Sequence, residues 1–534
     1  MTISKLRHIQ GKQHYGILQK RFKSNYNLSS TMQEHTRALI VIIVLAMIGF
    51  SIAKKLAPIG ISPIDSKQWT ISWFVVLILA FTVGNFWIYS ILSGMFISIY
   101  SVKSVNKMAI FFILLYVIPP LEITVPGLGL VNYLFVLSHP RFIILVILLP
   151  AALSIASKNN FRFTSIWADK FLLLYILLIV VLELRNTSFT DTLRAGFNNF
   201  IDIFLPYYVA SRSLKNLQQF KVVAYAFVTL AIVISIIAVF ESGKSWLLFS
   251  ALGTALETGD PYGNYLGRAG SLRAISSLGH PIALGYFVTI AIGFFLFLSP
   301  SIERKLIKRL GGLILALGLY VPLSRGPWVG AFAMIIVFIL LSSKSVKKLS
   351  SLLLAGALVL PLIAILPGGD KFINLIPFFG NTETGNIEYR EQLFENSVIV
   401  IKRNLLFGSV DFLQTPEMQA MKQGEGIIDV VNTYLSIALY AGIAGLTLFI
   451  SVFVATLIGI RGRLKRVVDK SSESHLLGRC LIAMIISILI TIATVASVGT
   501  VAITYWAIIG IGVAYTRMED QKILSSTTDS VVKI

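Results

Sequence analysis

Val222–Phe240 reads VVAYAFVTLAIVISIIAVF, 19 consecutive residues without a charged side chain. A helix of about 20 apolar residues spans the hydrocarbon core of a bilayer with its backbone hydrogen bonds closed inside the segment. Ile282–Leu298 and Leu481–Val498 read the same way, and the whole chain is built around such runs. Its 534 residues are 56% hydrophobic and 13% charged, with a mean hydropathy of +0.80. That is too apolar for a fold that keeps a polar shell against water. A membrane barrel would show alternating segments of about 10 residues, a pattern the sequence lacks. The expected fold is all-α, a polytopic integral membrane helical bundle.

The formal net charge is +21, which in a soluble protein would point to nucleic acid. Here the Lys and Arg gather in short loops that alternate with depleted ones, the positive-inside pattern of a membrane protein. Lys103/Lys107, Lys158/Arg162, Arg212/Lys215, Arg304–Arg309, Lys344–Lys348 and Arg461–Arg466 are assigned to the cytoplasmic side. An even number of spans between neighbouring basic loops gives about 14 transmembrane helices. Both termini then lie in the cytoplasm: a basic tail over 1–37, a single transmembrane domain over 38–516 and a tail over 517–534. Residues 72–101 are drawn as one core, although Gly84-Asn85 could break it, and residues 108–121 as another. The core 198–211 is short and carries Asp202, and the other cores hold few charges. No cleavable signal peptide fits, because the first apolar run starts only near Ala38. Cys480 is the only cysteine, which rules out an intrachain disulfide and metal sites built on cysteine pairs.

One long polar interruption, Gly368–Val430, falls on the extracytoplasmic face and holds 9 of the 25 acidic residues. Carboxylates concentrated in one outer loop point to chemistry there rather than to passage of a solute alone. The chain has no G-x-G-x-x-G, Walker lysine loop, H-E-x-x-H or D-x-D pair. No soluble stretch is long enough for a nucleotide-binding domain with its own core. Neither a cofactor nor a bound metal is expected, and a donor substrate would have to arrive through the membrane.

The outer face offers several candidates. Ser324-Arg325-Gly326-Pro327-Trp328 places Arg325 at the apex of a helical hairpin. It is either a snorkelling interfacial Arg or a planar fork for a diphosphate. Arg268 and Arg273 precede Leu278-Gly279-His280-Pro281, where His280 is either a helix cap or a base. Glu388, Glu391 and Glu395 share one helical face by their spacing, which a solvated amphipathic helix also explains. Asp429 stands at the mouth of the next span, as an N-cap or as a general base.

In this order the motifs resemble the O-antigen ligase and O-antigen polymerase superfamily of bacterial envelope polysaccharide enzymes. The matches are Gly279-His280-Pro281 with Leu284-Gly285, Ser324-Arg325-Gly326 with Trp328, Arg390, Asn404 to Gly408, Asn432-x-Tyr434-Leu435, and Gly442-x-x-Gly445. They run over 278–445, the family-like catalytic core. Two positions depart from the family: Leu405 stands where Pro is usual, and Val431 stands where family ligases have a His before the Asn. Val moves no proton, so the departure favours the polymerase or exopolysaccharide branch and makes Asp429 the better base.

The resemblance implies a metal-independent glycosyltransferase of the bacterial inner membrane. Its donor would be a polyprenyl-diphosphate-linked oligosaccharide and its acceptor a glycan or lipid. Membrane lipids and other polysaccharide export components are the expected partners, and nucleic acid is not. Asp429 is the expected base, with Glu391, Glu395 and His280 behind it; Arg325, with Arg273, Arg390 and Arg268, is expected to hold the diphosphate. The rival readings are a lipid-linked oligosaccharide flippase or other transporter, which would need ionisable residues along the bundle interior, and a scaffold of an export complex.

Overall fold

The computed structural model describes residues 28–518 except 104–105, 128, 130, 159–165, 186–187, 260–261, 269, 344, 366–383, 424–425 and 496–500. The expectations for the tails, for Arg162 and Lys344, and for the start of the long loop lie outside those residues. The described chain is nearly all helical. Among the described residues 7 helices are long and apolar enough to cross a membrane, and shorter apolar helices run over Phe86–Tyr100, Arg325–Leu340 and Val501–Arg517. The expected count of about 14 is not reached by this measure, since some of the predicted cores fold into helices shorter than a bilayer.

Leu217–Lys244 and Pro281–Leu298 form the centre of the bundle and are buried along most of their length. The peripheral helices turn unmatched apolar faces outward. Ile40, Val44 and Ile48, four residues apart on the first helix, are exposed, as lipid-facing residues are in a chain that uses the bilayer as solvent.

The core drawn over 72–101 is two helices, Pro63–Thr82 and Phe86–Lys103. Gly84 adopts φ 73°, a left-handed conformation open to Gly at little cost. Asn85 then caps the second helix, its Oδ1 accepting from Trp87 N at 2.9 Å, while its Nδ2 donates to Glu257 at 2.7 Å. The extra passage is accommodated because the first helix, Leu28–Lys55, runs opposite to expectation. His35 Nε2 meets Phe81 O at 2.5 Å at the Asn85 end, and Gln218 Nε2 donates to Gly60 O at 2.6 Å at the other. Lys54 and Lys55 therefore join the basic end of the bundle, and the described chain begins at the end opposite to Arg212 and Arg463.

The core drawn over 108–121 is a helix only over Lys107–Leu115. Beyond Pro119-Pro120 the chain forms a hairpin, Glu122–Pro126 against Tyr133–Ser138, antiparallel with Glu122 opposite Ser138. An all-α reading missed this hairpin. Two other helices contain π-turns, Ile144–Leu148 and Phe200–Phe204, each just before a proline, Pro150 and Pro206. A proline lacks the N–H and crowds the carbonyl four residues back, and a widened turn relieves both.

The interior carries more charge than expected. Asp169 and Arg212 form a buried bidentate pair at 2.5 and 3.0 Å, and Tyr207 donates to Asp169 at 2.6 Å. Asp202 pairs with Arg141 at 2.7 Å. In both of these pairs the charge taken out of water is matched by an opposite one, as a low-dielectric interior favours.

Candidate functional site

The turn before the helix Arg325–Leu340 is held from both sides. Leu323 sits at φ 49°, a strained conformation for a residue with a Cβ. It turns two carbonyls toward the outer loop: Arg268 Nη1 donates to Leu323 O at 2.7 Å and Arg273 Nε to Pro322 O at 3.0 Å. Arg273 Nη2 also donates to Ser324 Oγ at 2.8 Å. The expected apex lies at Val321–Leu323, and Arg325 is instead the first residue of the helix. Gly326 and Gly330 face Thr494 and Thr491 so closely that an added Cβ would lie 2.5 and 2.1 Å from their hydroxyls. Two small residues four apart let the helix lie against Glu473–Ile492.

Arg325 is therefore part-buried at a helix amino terminus. The Ser324 hydroxyl makes no cap bond there, being engaged with Arg273 and with Pro322 O. A cation beside the positive end of a helix dipole opposes it, so this placement favours an anion as the third party.

Arg390 comes from the long loop, on the helix Thr384–Arg403. Its Nη1 donates to Thr494 O at 3.0 Å. Desolvation draws its pKa down from the usual arginine range, with Asp429 opposing that shift and the like charge of Arg325 adding to it. Both groups thus lie within its field. Asp429 is exposed, and its backbone is fixed by Tyr389, which donates to Asp429 O at 3.0 Å and accepts from Asp429 N at 3.2 Å. Burial raises the Tyr389 pKa, so the hydroxyl stays a donor. The cap of the following helix, Thr433–Arg466, is Asn432, whose Oδ1 accepts from Tyr434 N and Leu435 N at 2.9 and 3.2 Å. Asp429 is not that cap.

The other candidates fare differently. His280 caps Pro281–Leu298, its Nδ1 accepting from Ile282 N at 3.2 Å. His139 is fully buried, with Tyr89 OH and Leu114 O on its two nitrogens. Glu388, Glu391 and Glu395 do share a face, and that face is exposed, opposite the one formed by Leu393, Ser397 and Val400. Helical geometry turns Glu391 and Glu395 away from Arg390 and Asp429. Arg268 and Arg273 brace the Ser324 turn. Val431 packs with Val430 and Tyr389 against the loop's own apolar cluster of Leu393, Val400, Phe412, Met418 and Met421.

Sequence reading missed Arg185 and the helix break it stabilises. Gly442, at φ 66°, interrupts Thr433–Arg466, and the Asn404–Gly408 loop lies against the gap. Ile443 N and Ala444 N donate to Leu405 O and Leu406 O at 2.9 and 3.1 Å. Arg185 donates to Phe407 O, Gly408 O and Tyr440 O, each at 2.9 Å, and Tyr440 donates to Glu183. A Cβ on Gly408 would lie 2.5 Å from Leu439 O and one on Gly442 2.3 Å from Leu406 O, so both must be glycine. The signal available in sequence was the Glu183/Arg185 pair ending an apolar run. Among the described residues, no group of three His, Cys, Asp or Glu side chains is arranged to hold a metal.

A family model described as O-Antigen ligase matches residues 310–450, about a quarter of the chain. The match encloses the Ser324–Trp328 turn, Arg390, Asp429, the Asn404–Gly408 loop and the Gly442 break, and stops short of His280. No curated protein matches the chain. This is a membrane protein that resembles the O-antigen ligase and O-antigen polymerase superfamily and carries the family's O-antigen ligase match over residues 310–450.

Proposed function

We propose that the protein is a glycosyltransferase of the bacterial inner membrane that polymerises polyprenyl-diphosphate-linked oligosaccharide repeats at the outer face. The observation that carries this reading is that Arg390 lies in the field of both Arg325 and Asp429, each just ahead of or at the amino end of its own helix: two cations and one carboxylate, with the carboxylate not used as a cap. Asp429 takes the proton from an acceptor hydroxyl, whose oxygen attacks the anomeric carbon. The bond from that carbon to the diphosphate oxygen breaks, and the electron pair leaves on the lipid diphosphate. The Arg325 and Arg390 forks and the helix amino terminus offset the charge that builds there. Arg268 and Arg273 keep the Ser324–Arg325 turn in place.

Val431 supports the polymerase branch over ligation, because the position where family ligases carry a His is part of an apolar contact here. The interior pairs Asp169–Arg212 and Arg141–Asp202 are the feature a transporter would need, but they are closed on each other and give that reading no mobile charge. The test uses purified protein with a lipid-diphosphate-linked repeat. The expected result is a ladder of longer lipid-linked chains with free polyprenyl diphosphate released in step. A deletion strain that accumulates full-length chains on carrier lipid would overturn polymerisation in favour of ligation, and one with unchanged polysaccharide would overturn both.

A further inference from the structure

At the end of the bundle opposite Arg325, a cavity of about 790 Å³ lies between the helices Arg325–Leu340, Thr433–Arg466 and Glu473–Ile492. The distance from Arg325 is about 22 Å, fifteen residues along one helix, so it is separate from the outer mouth. Its wall is aliphatic, with Val337, Leu340, Leu457, Ile458, Ile482 and Ile486. Leu340 and Ile458 are 54% and 66% exposed, which opens the cleft sideways, toward where lipid chains lie. Its rim is cationic, formed by Arg461, Lys465, Lys470 and Arg479 beside His475, with no acidic residue among the lining residues. The nearby Glu473 is taken by Lys221 at 2.7 Å and Ser301 at 2.9 Å.

Arg479 is held in place rather than loose in water. It stacks over Phe338 at 4.5 Å from the ring centroid and donates Nη2 to Phe338 O at 2.7 Å. Its Nε and the Nδ1 of His475 are shielded from solvent and have no hydrogen-bond partner among the described residues. A fixed guanidinium with an unused polar edge, beside exposed cations and above an aliphatic wall, combines a phosphate-recognising rim with an acyl-chain groove.

We propose that this cleft binds one anionic phospholipid, its acyl chains along the aliphatic wall and its phosphate among Arg461, Lys465, Lys470 and Arg479. A zwitterionic lipid would leave the rim charge uncompensated, and a free phosphate would leave the apolar wall facing water. Basic pockets between membrane helices at the positively charged end suit such headgroups.

The purified full-length protein is delipidated in detergent and titrated with phosphatidylglycerol, with phosphatidylcholine of the same chains, and with inorganic phosphate, and bound lipid is counted by native mass spectrometry. Phosphatidylglycerol should be retained about tenfold better than phosphatidylcholine, a preference that shrinks with added salt. The variant Arg461→Ala/Lys465→Ala/Lys470→Ala, whose changes fall on exposed side chains, should lose the preference. Lys347→Ala/Lys348→Ala, which removes charge from the first turn of a different helix, Ser345–Ile365, should keep it. Equal retention of the two lipids, or a preference that survives the triple substitution, overturns the proposal. So does full displacement of phosphatidylglycerol by millimolar phosphate, which would mark an anion site without a lipid.

Discussion

The Asp169–Arg212 pair and the Arg325–Arg390–Asp429 mouth are both charged clusters in an apolar bundle, but they are built in opposite ways. Asp169 is fully buried, and its oxygens are taken by Arg212 and Tyr207. Charge and hydrogen bonds close within the cluster, so nothing remains for a ligand to satisfy. At the mouth Arg390 lies in the field of both the exposed Asp429 carboxylate and the like charge of Arg325, which stands at the positive end of a helix, so an entering anion would meet two cations. The first kind of cluster fixes helices. The second is suited to chemistry, and the two should respond differently to loss of a single charge.

The largest effect is expected at Asp429. Asp429→Asn should lower polymer formed per folded enzyme about 100- to 10,000-fold, the usual range for loss of a general base. The unfolding midpoint should stay put, because Asn432 does the capping. Activity within a few-fold of wild type would remove the carboxylate from the chemistry.

Asp169→Asn should do the reverse. Leaving Arg212 buried without its counter-charge costs about 3–5 kcal/mol, read as a lowered midpoint of unfolding in detergent, while turnover per folded molecule stays near wild type. A variant as stable as the parent would show that the pair is not a structural clasp.

Arg185→Gln sits between these. The side chain satisfies three carbonyls around the Gly442 break, and leaving such acceptors unmet costs about 1–3 kcal/mol. Faster proteolysis within Asn404–Gly408 is the expected sign, and unchanged cleavage would contradict the clasp. The smallest effect belongs to Glu391→Gln/Glu395→Gln. Both residues face solvent, so stability should move by less than about 0.5 kcal/mol and polymer yield should not change. A large loss of activity would bring this face of the helix back into the mechanism.

The membrane class and most helix positions were legible from apolar runs and basic loops, and motif order singled out Arg325, Arg390 and Asp429 as candidates. Those signals are local, or are set by one dominant solvent. The direction of the first helix was not legible, since it depends on whether Gly84-Asn85 turns the chain, and a glycine within an apolar run leaves that open. The hairpin at 122–138 hid between two apolar segments whose residues suit a strand or a helix equally. What Arg273 braces was not legible, because sequence shows a charge and not the carbonyl and hydroxyl it meets. The Gly442 break was invisible for a related reason: the Leu405 and Leu406 carbonyls that fill it come from nearly forty residues away.

The chemistry assigned to the mouth depends above all on Arg325 holding a diphosphate with a planar fork. Arg325→Lys keeps the charge and loses the paired donors, so the rate of the first glycosyl transfer, measured with saturating lipid-diphosphate donor and normalised to folded protein, reads this directly. The expected result is a fall of about tenfold or more with an unchanged unfolding midpoint. An Arg325→Lys enzyme that transfers at the wild-type rate would contradict the fork and make Arg325 an interfacial anchor.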